Sequence, residues 1–173
     1  MATTYTLINS NVLSSSAASV TFSSIPATYT DLVLKMSTRV NAAQGLDNLW
    51  ITFNGVGGTS YSSTWLYAAT TTPTSASQTN DAYIRLTNAT PGDTAVANLF
   101  SNDEIYIPSY TANQNKPVSS FTAPEANNAN NNVLVNAGLF GNTSAITSIS
   151  ITSQAGGSFM STSSFYLYGI SNA

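Results

Sequence analysis

Asn48-Leu49-Trp50-Ile51-Thr52-Phe53-Asn54-Gly55-Val56-Gly57-Gly58 leads, two residues on, into Tyr61-Ser62-Ser63-Thr64-Trp65-Leu66-Tyr67. Leu49, Ile51 and Phe53 alternate with Trp50 and Thr52, the period of a strand with one face buried. Asn54-Gly55 then supplies the positive φ that hairpin turns need. The stretch reads as a hairpin over residues 49–67, with Tyr61 to Tyr67 as the returning strand.

The same period of two extends in both directions. From Asp31 to Arg39, Leu32, Leu34 and Met36 share one face, and Val33, Lys35, Ser37 and Arg39 the other. Further strands are expected at residues 4–8, 19–22, 81–87, 97–100, 104–107, 133–139, 145–152 and 159–170, where Val, Ile, Thr, Tyr and Phe dominate. Clusters of Pro, Gly, Asn and Ser separate them at the spacing of a sandwich. No amphipathic helix is predicted, only single turns at 41–46 and 123–129. Residues 68–80, around Pro73, and 111–132, with Pro117, Pro124 and an Asn run, read as loops. Composition does not change across either, so residues 1–173 form one domain. Eight to ten strands in this length predict an all-β antiparallel sandwich, jelly-roll-like. Phe22, Trp50, Phe53, Trp65, Phe100, Phe121, Phe140, Phe159 and Phe165 are its candidate core aromatics.

Only 6% of the residues are charged while 42% are hydrophobic, so the chain is not a disordered polyelectrolyte. Ser, Thr and Asn make up 69 of 173 residues. Neutral hydroxyls and amides, rather than ions, solvate such a surface, which is then nearly insensitive to salt and pH. That suits a protein working outside a cell or on a particle. The four basic residues, Lys35, Arg39, Arg85 and Lys116, are scattered and form no phosphate-binding cluster, which argues against nucleic acid. There is no Cys, hence no disulfide framework. The first residues show neither a basic nor an apolar signal region, and no apolar run approaches the roughly 18 residues needed to span a membrane. An outside-type composition without an export signal fits release by lysis.

Histidine is absent, which removes the usual general base near neutral pH and the commonest zinc ligand. Serines and threonines are plentiful but have no local base. Asp103-Glu104 is the one adjacent acidic pair. On a strand its side chains point to opposite faces, so it reads as a solubilising edge rather than a dyad. No calcium-loop spacing occurs. The expectation is a non-enzymatic protein without a cofactor or metal. Tyr61, Trp65 and Tyr67 share a strand face and are candidate glycan contacts, with core packing as the plainer reading. Arg39 and Arg85 are expected to bond backbone carbonyls or a carboxylate such as Asp31 or Asp47. Asn113, Asn115, Asn127, Asn128, Asn130, Asn131 and Asn132 are candidate interface residues, because amides both donate and accept.

Two segments carry a resemblance. Ser24-Ile25-Pro26-Ala27-Thr28-Tyr29-Thr30-Asp31-Leu32-Val33-Leu34 and Ser163-Ser164-Phe165-Tyr166-Leu167-Tyr168-Gly169-Ile170 together resemble small β-sandwich virion proteins of tailed bacteriophages. That family supplies capsid decoration proteins and tail-fibre or appendage modules. The resemblance covers both ends of the chain and not the middle, about 70–132. It implies a structural protein on the virion surface, most simply a decoration protein that binds the major capsid protein or other virion proteins and stabilises the head. It also implies symmetric self-association, for instance as a trimer. The alternative it implies is a receptor-binding tail module, with a glycan as ligand.

Overall fold

The computed structural model describes residues 4–69, 72–125 and 132–171. Its elements are all strands: β1 (Tyr5–Val12), β2 (Ser19–Phe22), β3 (Asp31–Ser37), β4 (Leu46–Phe53), β5 (Tyr61–Ala69), β6 (Thr72–Asp81), β7 (Ile84–Pro91), β8 (Asp103–Ile107), β9 (Lys116–Thr122), β10 (Asn132–Phe140), β11 (Ile149–Ser153) and β12 (Ser164–Ile170). They form an eight-stranded sheet, β1-β12-β3-β8-β9-β10-β5-β6, and a four-stranded sheet, β2-β11-β4-β7. Every pairing is antiparallel.

Without β5, β6, β9 and β10 the order becomes β1-β12-β3-β8 over β2-β11-β4-β7. The chain then pairs as one long ribbon folded back on itself: β1 with β12, β2 with β11, β3 with β8, β4 with β7. That wrapping is the jelly roll. Two inserted strand pairs, β5–β6 and β9–β10, join through β10 and β5 and extend the larger sheet beyond β8. The extension lies over β7, the edge of the smaller sheet.

The core fills the space between the sheets. Phe53, Tyr61 and Phe140 pack at one end, with Tyr61 stacked on Phe140 at 4.9 Å. Phe159 and Phe165 meet edge to face at 5.1 Å at the other. Phe22, Leu34, Leu49, Ile51, Ile105 and Leu167 lie between. Of the core aromatics expected from sequence, Trp50, Phe100 and Phe121 stand outside the core, Phe121 48% exposed, while Tyr61 and Tyr110 are buried.

Five local expectations are corrected. The Asn54-Gly55 turn forms, with φ of 55° and 64° and Val56 N–H on Phe53 O at 3.0 Å, but no hairpin follows. Both edges of β4 are already taken, by β11 and β7, so the chain crosses and β5 enters the other sheet. Residues 97–100 form no strand; Asn98, at φ 61°, turns the chain there. Residues 72–81 and 116–122 are strands rather than loops: β6 is an exposed edge of polar residues, and β9 is interior to its sheet. β8 is interior too, between β3 and β9, so Asp103-Glu104 is not an edge. No helical turn forms at 41–46 or at 123–125; residues 126–129 of that second expectation lie outside the described residues.

The structure also joins the two segments that carry the resemblance. β3 pairs with β12, placing Asp31 opposite Ile170. Thr30 N–H donates to Ile170 O at 2.8 Å. Gly169 lies against the Tyr29 ring so closely that a Cβ there would sit 2.2 Å from it.

Candidate functional site

The aromatic row on β5 faces inward. Tyr61 is 2% exposed and Trp65 9%, and Tyr67 packs on the core. The Tyr61 hydroxyl accepts from Phe53 N–H at 2.8 Å and donates to Val56 O at 3.0 Å, and burial raises its pKa. These rings therefore offer no glycan platform. Asn113 and Asn115 are exposed in the loop before β9. Asn132 is 2% exposed and donates its amide to Thr87 O and Asn88 O at 3.3 and 3.2 Å, which ties β10 to β7 rather than to a neighbour. Asn127, Asn128, Asn130 and Asn131 lie outside the described residues.

The charged residues hold the scaffold. The Arg39 guanidinium donates to the carbonyls of Val96, Leu99 and Ala95 at 2.7, 3.2 and 3.3 Å and fixes the loop after β7. Lys116 is fully buried, and its ammonium donates to the carbonyls of Ala112, Gln114 and Thr143. Desolvation lowers its pKa. Asp31 accepts from the Tyr106 hydroxyl and Ser109 N–H, each at 2.8 Å. Asp47 accepts from the Ser153 hydroxyl and from Asn48 N–H. Burial pushes the Asp103 carboxyl up to about 7, against the opposing pull of the Ser101 and Thr122 hydroxyls. A pKa there suits acid–base catalysis, but Asp103 is 1% exposed and lines none of the clefts described below. Among the described residues, no three acids gather as a metal site.

Two surfaces stand out instead. The first is the outward face of the extension. Val133, Val135, Ala137 and Leu139 point out from β10 while Asn132, Leu134, Asn136 and Phe140 point in. Val135 sits opposite Phe121 on β9 and Leu66 on β5. Leu66, Phe121, Val133, Val135 and Leu139 are 38–55% exposed. A shallow groove of about 130 Å³ runs among Leu66, Tyr67, Ala68, Pro73, Val133 and Val135, so the half-buried Tyr67 reaches its wall. The outward positions of β5, β9 and β10 carry no charge. On β8, Glu104 is paired with Lys35 at 2.8 Å. Sequence reasoning missed this face because it assigns the more apolar phase of a strand to the core, and here β10 turns Val133, Val135, Ala137 and Leu139 to the outside.

The second is the outward face of the smaller sheet. Trp50 and Tyr83 stack at 4.1 Å with an interplanar angle of 16°. The Arg85 guanidinium lies 5.5 Å from the Tyr83 ring centre and donates to its hydroxyl at 3.0 Å. A second Arg85 nitrogen reaches Gln154 Oε1 at 3.4 Å. The Asn48 amide also donates to Gln154, and its oxygen accepts from Asn88 N–H at 2.6 Å. Asn48, Asn88 and Gln154 line a cleft of about 170 Å³ with Asp47. Arg85 thus bonds side chains, Gln154 and Tyr83, whereas Arg39 bonds carbonyls.

No known protein family, curated protein or solved structure matches this chain.

Proposed function

We propose that this chain is a non-enzymatic structural protein of a tailed-phage particle, a decoration protein that docks on the assembled head through the outward face of β5, β9 and β10. The observation that carries the reading is the inverted phase of β10. A strand that buries Asn132 and Asn136 while exposing Val133, Val135 and Leu139 keeps its apolar phase for a partner. Contiguous exposed apolar patches mark protein contacts. The outward positions of β5, β9 and β10 can dry without desolvating ions, and the nearest charge, Glu104 opposite Phe121, is paired with Lys35. The likeness of residues 24–34 and 163–170 to phage virion proteins supports the setting, and the neutral polar surface fits life on a particle. Binding only to the assembled shell would stabilise that shell by mass action. The major capsid protein is then the expected partner.

The test is immunogold labelling of purified virions combined with a Val135→Asp variant. Label over the heads, with loss of head binding by a folded Val135→Asp protein, is the expected result. Label confined to the tail would replace this reading with a receptor-binding appendage. The Trp50–Tyr83–Arg85 stack favours that second reading.

A further inference from the structure

We propose that the outward face of the four-stranded sheet is a saccharide-binding platform built on Trp50, Tyr83, Arg85, Asn48 and Gln154. It gives the receptor-binding reading its site and is independent of docking through β5, β9 and β10.

A sugar ring offers two chemistries at once: a face of C–H groups that lies on an aromatic ring, and a rim of hydroxyls that both donate and accept. This surface offers the complement of each. The Trp50–Tyr83 pair is only partly buried, on the face turned away from the core. Beside it stand the planar Arg85 fork and the amides of Asn48 and Gln154; the Gln154 oxygen already accepts from Asn48 and Arg85, and the Gln154 amide N–H groups are left to donate to a hydroxyl. Thr21, Thr52, Ser150 and Thr152 occupy neighbouring outward positions with short hydroxyl side chains, and Thr21 bonds Ser150 at 2.9 Å.

The groups are held before any ligand arrives. Arg85 is tethered to Tyr83 and Gln154, and Asn48 is tethered to Gln154 and Asn88. Little rotamer freedom remains to be lost on binding. The adjoining cleft of about 170 Å³ is smaller than the roughly 300–1,000 Å³ of sites for drug-sized ligands, so it fits one ring or the edge of one. Arg85 is the one charge in the stack. The Asp47 carboxylate at the cleft wall is turned to Ser153 and the backbone. The chemistry is therefore that of a hydroxyl-rich ring, with Arg85 as the one charged donor toward it.

The chain has two tryptophans, one in this platform and one in the core, so their indole N–H signals separate the two environments. The experiment is a ¹H–¹⁵N titration of the full chain with the methyl glycosides of glucose, galactose, mannose and N-acetylglucosamine. At least one should move the Trp50 indole and the amides of Tyr83, Arg85 and Gln154 saturably, leaving the Trp65 indole in place. Tyr83→Ala should weaken that binding by about tenfold, the scale of one stacked aromatic contact. Gln154→Ala, at an exposed position, should weaken it without disturbing the fold. If no glycoside gives a saturable shift on a folded chain, or if the shifts centre on β5 and β10, the proposal is overturned. Neither result bears on head docking, which involves no sugar.

Discussion

At the scale of single residues the chain pairs extreme burial with very few charges, so each charge has a specific task. Asp103 is the clearest case. Its carboxyl is pushed up to about 7 in the folded chain against an ordinary 3.8. Between those values the folded state holds a proton that the unfolded state has released. Stability is therefore greatest below about pH 4 as far as this group is concerned, and falls as pH rises toward 7. The slope approaches about 1.4 kcal/mol per pH unit within that window. Asp103→Asn keeps an acceptor for the Ser101 hydroxyl and removes the titration. Urea unfolding from pH 4.5 to 8 should show the variant more stable than the parent at pH 8, with a flatter profile. A variant weakened equally at every pH would mean that the ionised carboxylate is the useful form. Gly169 gives a second test. A methyl there meets the Tyr29 ring at 2.2 Å, so Gly169→Ala should lower stability by about 1–3 kcal/mol through overpacking. Gly169→Ala with Tyr29→Ala should recover part of that loss in a double-mutant cycle.

Among the elements, the sequence is most legible where a strand has one buried face and a clear turn beside it. β2, β3, β4, β8 and β12 come out of alternation and β-propensity with errors of a few residues. β6 and β9 do not, because Thr72-Pro73-Thr74-Ser75 and Lys116-Pro117-Val118-Ser119 carry the residues of loops. β6 needs no apolar face since it is an edge, and β9 hides a lysine inside by giving its ammonium backbone carbonyls. The site was less legible than the fold. Tyr61, Trp65 and Tyr67 share one face of one strand, but periodicity alone does not say which face is covered. Tyr83 is not legible as a site residue because its partner, Trp50, is distant in sequence and adjacent only through the β4–β7 register. The phase of β10 is open to direct test. Leu134→Ala, in the core, should cost about 2–5 kcal/mol, while Val135→Asp, one residue on, should change stability by no more than about 0.5 kcal/mol. Chemical denaturation of the two variants reads the difference. Equal losses would mean that Val135 is buried in the isolated protein.

For the whole molecule, the decisive fact is that its first and last strands are neighbours. β12 lies between β1 and β3, and Ser171 N–H donates to Thr4 O at 3.2 Å. The jelly-roll ribbon therefore closes only when segments some 160 residues apart in sequence have met, and chains dominated by such distant pairings fold slowly, in milliseconds to seconds. The two inserted pairs add local hairpin-like contacts but sit outside that closing step. Removing Ser164–Ile170 would strip Phe165 and Leu167 from the core and leave β1 and one edge of β3 unpaired. A chain ending at Ser163 should then show no cooperative thermal transition and weak near-ultraviolet dichroism. Added in trans, a peptide spanning 163–171 should restore both, because the groove between β1 and β3 presents backbone donors and acceptors along its length. A truncated chain that still melts cooperatively would mean that β1 and β3 close on each other. The jelly roll would then not depend on the end-to-end pairing of β1 with β12.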